Sequence, residues 1–261
     1  MQSKSLLHTN SLDSDNEVVI SSTDIAGILS YPNVSAKDYA DRLQEITSFG
    51  ITHFLLGGRT KIGKINIAGK GCVSVVLRVR AKNRIYALKI RRTDANRLSM
   101  ERESYMHKIA NSAHVGPQLF HSSKNVIIME FIDGLSLIHW IRNEAVSANE
   151  ARHVATSILE QCFRLDMSHL DHGQLSCLNH HILVSKSNKA ANVIDFETAS
   201  TARKASNVTA AVQSLFLSGI ISRRMNQLLK VLKKESIIQL LKTYKQHPNQ
   251  INFDNILNIF S

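Results

Sequence analysis

The chain has no apolar run of the roughly 18 residues that a membrane-spanning helix needs. Its first residues, with Lys4 followed only by Leu6 and Leu7, lack the apolar core of a signal peptide. A cytoplasmic protein without a membrane partner is therefore expected. Cysteine is scarce: Cys72, Cys162 and Cys177 are odd in number, widely spaced and free of any Cys-x-x-Cys pair. That argues against a disulfide framework and for isolated thiols in a reducing compartment. No segment repeats at a fixed period. What remains is the composition of an ordinary globular protein, 43% hydrophobic and 20% charged. Its 261 residues can bury one large or two small cores.

The net charge of +11 is unevenly placed. Between Arg59 and Lys108 fourteen Lys or Arg stand against Asp94, Glu101 and Glu103, and a second basic stretch runs from Arg203 to Lys245 with Glu235 as its only acid. Residues 1–50 are acidic by comparison. A field of this sign attracts phosphate-bearing partners, whether nucleotide, RNA or an acidic protein.

Residues 1–23 mix Ser, Asp and Asn without periodicity and are expected to be a disordered tail. Residues 24–64 form an N-terminal extension in which Tyr39, Leu43 and Ile46 predict a helix capped by Ser35 and stopped at Gly50. Ile65–Ala68, Val73–Val79 and Arg84–Ile90 are rich in β-branched residues and separated by turns, which predicts a three-stranded antiparallel meander. Asn96 can cap a helix running to about Ala110, and Val126–Phe131 reads as a buried strand ended by Asp133-Gly134. From there the pattern turns helical: Leu135–Ile141, Ala148–Met167 and most of Val208–Phe260, with short strands at Ile182–Val184 and Val193–Ile194. The fold class expected is α+β with two lobes, residues 65–133 sheet-rich and residues 134–261 helical.

Gly69 and Gly71 flank a turn in which backbone amides can approach a phosphate, and Ser74 adds a hydroxyl. Lys89 lies in an apolar strand on the same face as Ala87 and Ile85, so it needs a partner if that face is covered. Glu103 in the following helix is the natural candidate, with Glu101 the alternative. A strand lysine held by a helix glutamate and aimed at nucleotide phosphates is the protein-kinase arrangement.

Further segments extend the resemblance. Ile128-Met129-Glu130-Phe131-Ile132-Asp133-Gly134 is similar to a kinase hinge. His172-Gly173-Gln174-Leu175-Ser176 resembles the catalytic loop of RIO-type kinases and of the kinase in the tRNA threonylcarbamoylation complex. Val193-Ile194-Asp195-Phe196-Glu197 resembles the metal-binding Asp-Phe-Gly segment, and Arg203–Thr209 looks like the archaeal serine/threonine kinases related to the RIO group. The resemblance implies a two-lobed protein-kinase-like fold with a reduced helical lobe and the cofactors ATP and Mg2+. Gly69, Gly71 and Ser74 would then cover the phosphates, Lys89 contact them and Glu103 orient Lys89. Glu130 and Ile132 would meet adenine through their backbones, and Asp195 would hold the metal.

Three departures qualify the activity that follows, phosphorylation of serine or threonine on a protein substrate or on the chain itself. Gln174 stands where the catalytic aspartate is expected, and an amide cannot take up a proton at neutral pH. Asn179 has the spacing of the second metal ligand, yet His180 and His181 intervene before the next strand, so either Asn179 or His181 fills that slot. Glu197 replaces the glycine after Phe196. Asp171 and Glu197 are the carboxylates available to stand in for the missing base. The histidines His169, His172, His180 and His181 lack zinc-finger spacing. Two further readings are a non-catalytic ATP-binding pseudokinase and an RNA- or ribosome-associated factor, the latter motivated by the basic stretches and by the biology of RIO-like relatives.

Overall fold

The structure is a computed structural model that describes residues 17–20 and 23–260. The chain divides into two compact units, Met1–Ser99 with Ser123–Ile128, and Met100–Ser122 with Met129–Ser261. The sequence pattern places the boundary after residue 133. The structure instead groups Glu101–Ser112, with its buried Met106 and Ala110, with the core of the second unit. Most of the expected tail, residues 1–16, 21 and 22, lies outside the described residues, but Glu17–Val19 form a strand, β1.

The first unit continues with α1 (Thr23–Leu29), α2 (Ala36–Ser48) and β2 (Ile51–Leu55). Ser35 caps α2 by accepting from the Asp38 N–H, and Gly50 follows it at φ +83°. Next come β3 (Thr60–Ile62), β4 (Ile65–Ile67), β5 (Gly69–Lys70), β6 (Ser74–Ala81) and β7 (Arg84–Arg91). After α3 (Glu101–Ser112) and β8 (Leu119–Ser122) the chain returns as β9 (Val126–Glu130). The antiparallel hairpin β6–β7 is paired without interruption from Ser74↔Arg91 to Ala81↔Arg84, and Lys82 turns it at φ +53°. Alternation divides its side chains. Val75, Leu77, Val79, Leu88 and Ile90 face a core shared with Ile25, Leu29, Ile46, Phe54 and Ile128. Glu45 of α2 anchors the turn before β9, its carboxylate accepting from the Asn125 N–H at 2.9 Å and from the Ser123 hydroxyl.

The predicted three-stranded meander is corrected here. β4 pairs with β3, and the long strand beside β6 is β2, from the N-terminal extension. A register shift between Ile51 and His53 breaks the period-two pattern of β2, which hides it from a sequence reading. Gly58, at φ +121°, then lets the chain pass the Ile67 carbonyl, where any Cβ would collide.

The second unit holds α3 and β8, then β10 (Gly134–Ser136), α4 (Leu137–Ile141), α5 (Ala148–Met167), β11 (Ile182–Ser185) and β12 (Ala191–Val193). It ends in α6 (Asn207–Val212), a π-helical segment Gln213–Leu217, α7 (Gly219–Leu228), α8 (Lys234–Gln246) and α9 (Gln250–Leu257). Helix α5 begins in a capping box between Ser147 and Glu150. Its Val154, Ile158, Leu159, Cys162 and Leu165 are fully buried and centre the second core. The strands β10, β11 and β12 form a small antiparallel sheet. Helix α3 starts at Glu101, after Met100, rather than at the expected Asn96 cap, and the Arg97 carbonyl accepts from Arg91 at 3.3 Å.

A buried polar knot ties the helices together. Asp166, near the end of α5, accepts from the Asn207 N–H (2.7 Å), the Asn207 side-chain amide (2.8 Å), the Val208 N–H (3.2 Å) and the Tyr244 hydroxyl of α8 (2.9 Å). Asn207 in turn accepts from the His172 N–H at 2.9 Å. The architecture is α+β and protein-kinase-like: an antiparallel sheet unit and a mostly helical unit, each with its own core. No described helix is long and apolar enough to cross a membrane.

Candidate functional site

In the first unit the chemistry sits on the face of β6–β7 turned away from the core. Lys89 is opposite Val76, with Ala87 and Ser74 on the same face, and it is 6% exposed. Such burial is rare for a lysine and marks an ammonium held by surrounding groups. The Gly69–Gly71 segment runs beside β6, where the Gly71 N–H donates to the Ser74 carbonyl at 2.8 Å. That amide is therefore engaged within the turn. Arg92 braces the same turn by donating to the Gly71 carbonyl at 2.8 Å, while its guanidinium lies 5.3 Å from the Tyr31 ring centroid. A Cβ on Gly69 or Gly71 would meet only ordinary contacts at 3.8 and 3.7 Å.

In the second unit the site is built by the docking of α3. His107 packs at a tilt against Phe196, ring centroids 5.0 Å apart, and donates to the Pro117 carbonyl at 2.7 Å. Gly116, at φ +80°, keeps the loop close, since a Cβ there would lie 2.8 Å from the Phe196 ring. Phe196 is also packed edge-on against His172 at 5.4 Å. This packing sets the two residues that flank Phe196 in the chain. Asp195 sits at φ +71°, a region that few residues other than glycine, asparagine and aspartate adopt. One carboxylate oxygen each from Glu103, Asp195 and Glu197 lie within 4.8 Å of one another. Three hard oxygen donors at that spacing concentrate negative charge that a divalent cation would neutralise.

A fourth donor stands beside them. His181 Nδ1 is 4.0 Å from Asp195 Oδ2, and the Ile194 N–H donates to the His181 carbonyl at 2.9 Å. His172, behind it, is fully buried, and its Nε2–H donates to the Ile194 carbonyl at 3.1 Å. Burial pushes the His172 imidazole down to about 4, so it is neutral at pH 7 and serves as a structural wedge.

The loop that carries Gln174 is zipped to the chain after Glu197. Asp171 and Ser200 exchange backbone hydrogen bonds at 3.0 and 2.8 Å, and the Thr198 hydroxyl donates to the His172 carbonyl at 2.9 Å. Arg203 clamps both sides, donating to the Asp171 carboxylate and to the Thr198 carbonyl, each at 2.6 Å. The Asp171 carboxylate is thus engaged by Arg203. Gln174 is half-buried, and its carbonyl accepts from the Cys177 N–H at 3.1 Å.

The predicted residues are therefore brought together unevenly. Glu103, Asp195 and Glu197 cluster. The backbone carbonyl of Asn179, the expected second metal ligand, accepts from the Ile138 N–H at 3.4 Å, and His181 Nδ1 stands 4.0 Å from Asp195 Oδ2. Glu130 ends β9 with its N–H donating to the Gln118 carbonyl at 2.8 Å, and Ile132 follows in the linker between β9 and β10. Phe196 was legible as the middle residue of the Asp-Phe-Gly-like segment, whereas His107, which packs on it, was legible only as a helix position. A cleft lined by Leu135, Trp140, Val146, Lys186 and Lys189 contains none of the predicted site residues.

Residues 74–209 match the family model of the RIO domain. The match covers just over half of the chain and includes Lys89, Glu103, Gln174 and Asp195, while Gly69 and Gly71 fall outside it. No curated protein matches the chain. The chain belongs to the RIO domain family of atypical, protein-kinase-like proteins, for which nucleotide binding and phosphoryl transfer are the coarse function.

Proposed function

We propose that this RIO-domain protein binds ATP with a divalent cation and transfers the γ-phosphoryl group to serine or threonine hydroxyls of a protein, itself included. The observation that supports this most is the carboxylate cluster of Glu103, Asp195 and Glu197, with Asp195 at φ +71° beside the packed Phe196. In this reading Lys89 contacts the phosphates and Glu103 orients it. Asp195 is the principal metal ligand, and Glu197 supplies a second carboxylate where many kinases have glycine. Magnesium is the ion that the family resemblance implies; when bound, it neutralises charge on the phosphate oxygens.

The remaining roles fall to positioning. Ser74 and the open surface over Gly69 and Gly71 admit the phosphates. The backbones of Glu130 and Ile132 meet adenine. Gln174 hydrogen-bonds and orients the acceptor hydroxyl but does not take its proton. Phosphoryl transfer depends mainly on positioning and charge stabilisation, so such a site turns over slowly rather than not at all. Loss of general base help typically costs about 10²–10⁴-fold.

The test is label transfer from radiolabelled ATP to the purified chain and to a generic protein acceptor. Incorporation by the native chain, lost in Lys89→Ala and Asp195→Ala, is expected. Equal incorporation by the native chain and Lys89→Ala, or none with any divalent cation, refutes the transfer. A second reading, ATP binding without turnover, is favoured by one observation: Asp171, the carboxylate nearest in sequence to Gln174, is already clamped by Arg203. It predicts nucleotide binding with no label transfer, unchanged by Gln174→Asp.

A further inference from the structure

Two extra residues separate Asn179 from the strand that leads toward Asp195, and the structure shows where they go. The His181 N–H donates to the Leu178 carbonyl at 3.3 Å, making a tight turn. β11 then begins at Ile182, paired with Val193 of β12. That register puts His181 directly across from Ile194, whose N–H donates to its carbonyl at 2.9 Å. The imidazole is partly buried, its side chain 16% exposed. It packs edge-on against the buried His172 ring at 5.6 Å. His172 is in turn pinned by its bond to the Ile194 carbonyl. The ring thus lies between His172 and Asp195, with Nδ1 toward Asp195.

We infer that His181 is a ligand of the divalent cation held by Asp195 and Glu197, and that it makes the site prefer first-row transition ions such as Mn2+ over Mg2+. This rests on the nucleotide–metal reading above and deepens it. Metal bonds to imidazole nitrogen and carboxylate oxygen are each about 2.1 Å, so two donors on one ion stand at most about 4.2 Å apart. The 4.0 Å between His181 Nδ1 and Asp195 Oδ2 falls inside that limit without movement of the backbone. The Asn179 backbone carbonyl accepts from the Ile138 N–H at the start of α4, at 3.4 Å. With His181 as the ligand, an imidazole nitrogen takes the place of the amide oxygen expected beside Asp195.

The exchange has a chemical consequence. Mg2+ is a hard cation that binds oxygen and gives up water reluctantly. Imidazole bonds more strongly to first-row transition ions, and the affinity of a mixed nitrogen and oxygen site rises from Mn2+ onward. With Asp195, Glu197 and His181 as donors, the cation bound with the nucleotide is of that class.

The test uses the full chain, Mn2+ and a non-hydrolysable ATP analogue, with pulsed electron paramagnetic resonance read at the metal. Protein labelled with 15N-histidine should show 15N coupling to Mn2+ where unlabelled protein shows 14N, and His181→Asn should lose it. A fluorescent ATP analogue should bind about tenfold more tightly with Mn2+ than with Mg2+, a ratio falling to about twofold in His181→Asn. Nucleotide bound with either ion, but no histidine nitrogen coupling in the native chain, overturns the assignment of His181. So does an unchanged ion preference in the variant. Failure of the nucleotide to bind with any cation refutes the proposed function itself, and this inference with it. Should His181→Asn not fold, His181→Gln serves in its place, with the same loss of coupling expected.

Discussion

Replacing Tyr244 by phenylalanine removes one hydrogen-bond donor from a buried carboxylate while keeping the ring that packs beside Phe163 at 6.5 Å. Asp166 is 5% exposed and Tyr244 2%, so water does not readily take the place of the lost hydroxyl. Hydrogen bonds to charged groups contribute about 1.5–3 kcal/mol, and three other donors to Asp166 remain, so a loss of about 2 kcal/mol is expected. For a unit of this size that lowers the melting temperature by about 4–8 °C. Burial holds the Asp166 carboxyl above its ordinary value of 3.8, against the pull of its donors. A carboxyl raised in the folded state favours folding below its unfolded value and loses that contribution as pH rises through the folded value. Removing the Tyr244 donor raises it further, so the penalty is larger at pH 7.5 than at pH 4.5. Urea titrations at both pH values measure this. A loss under about 0.5 kcal/mol, or a penalty that shrinks as pH rises, refutes the account of the knot. Because Asn207 of the same knot accepts from the His172 N–H, the variant also loosens the loop that carries Gln174.

Three other outcomes follow from the same geometry. Gly116→Ala forces a methyl to 2.8 Å from the Phe196 ring at a φ of +80°, and should cost about 1–3 kcal/mol in thermal melts while weakening nucleotide binding through Asp195. Gln174→Asp supplies the missing base and should raise label transfer by about 10²-fold or more without changing nucleotide affinity. Glu45→Ala strips the acceptor from the Ser123 hydroxyl and the Asn125 N–H, and should destabilise the first unit by about 1–3 kcal/mol in urea titration.

Much of the scaffold was legible because it follows local rules. The alternation of β6 and β7, the α2 cap at Ser35 and the apolar stripe of α5 each appear in the structure close to where the pattern puts them. Other features answer to contacts that no short window contains. β2 hides behind a register shift, and β10 is a three-residue strand that exists because Gly134 lets the backbone pass the Val184 carbonyl. The knot joins Asp166 to residues 41 and 78 positions away, with no spacing to announce it. At the site, residue types and order pointed to Glu103 and Asp195, which the packing of His107 on Phe196 brings to one cluster with Glu197. Spacing alone left Asn179 and His181 undecided. The β11–β12 register, a property of two strands rather than of the loop between them, brings His181 beside Asp195 and supports it as the proposed ligand.

The account turns on Lys89 and Asp195 as nucleotide and metal ligands. The most direct test is isothermal titration of the full chain with ATP and a divalent cation, beside Lys89→Ala and Asp195→Ala checked for folding by circular dichroism. Saturable binding by the native chain, weakened at least about tenfold in each variant, is the result predicted, a loss of about 1.4 kcal/mol or more apiece. Native-like affinity in either well-folded variant, or no binding by the native chain, contradicts it.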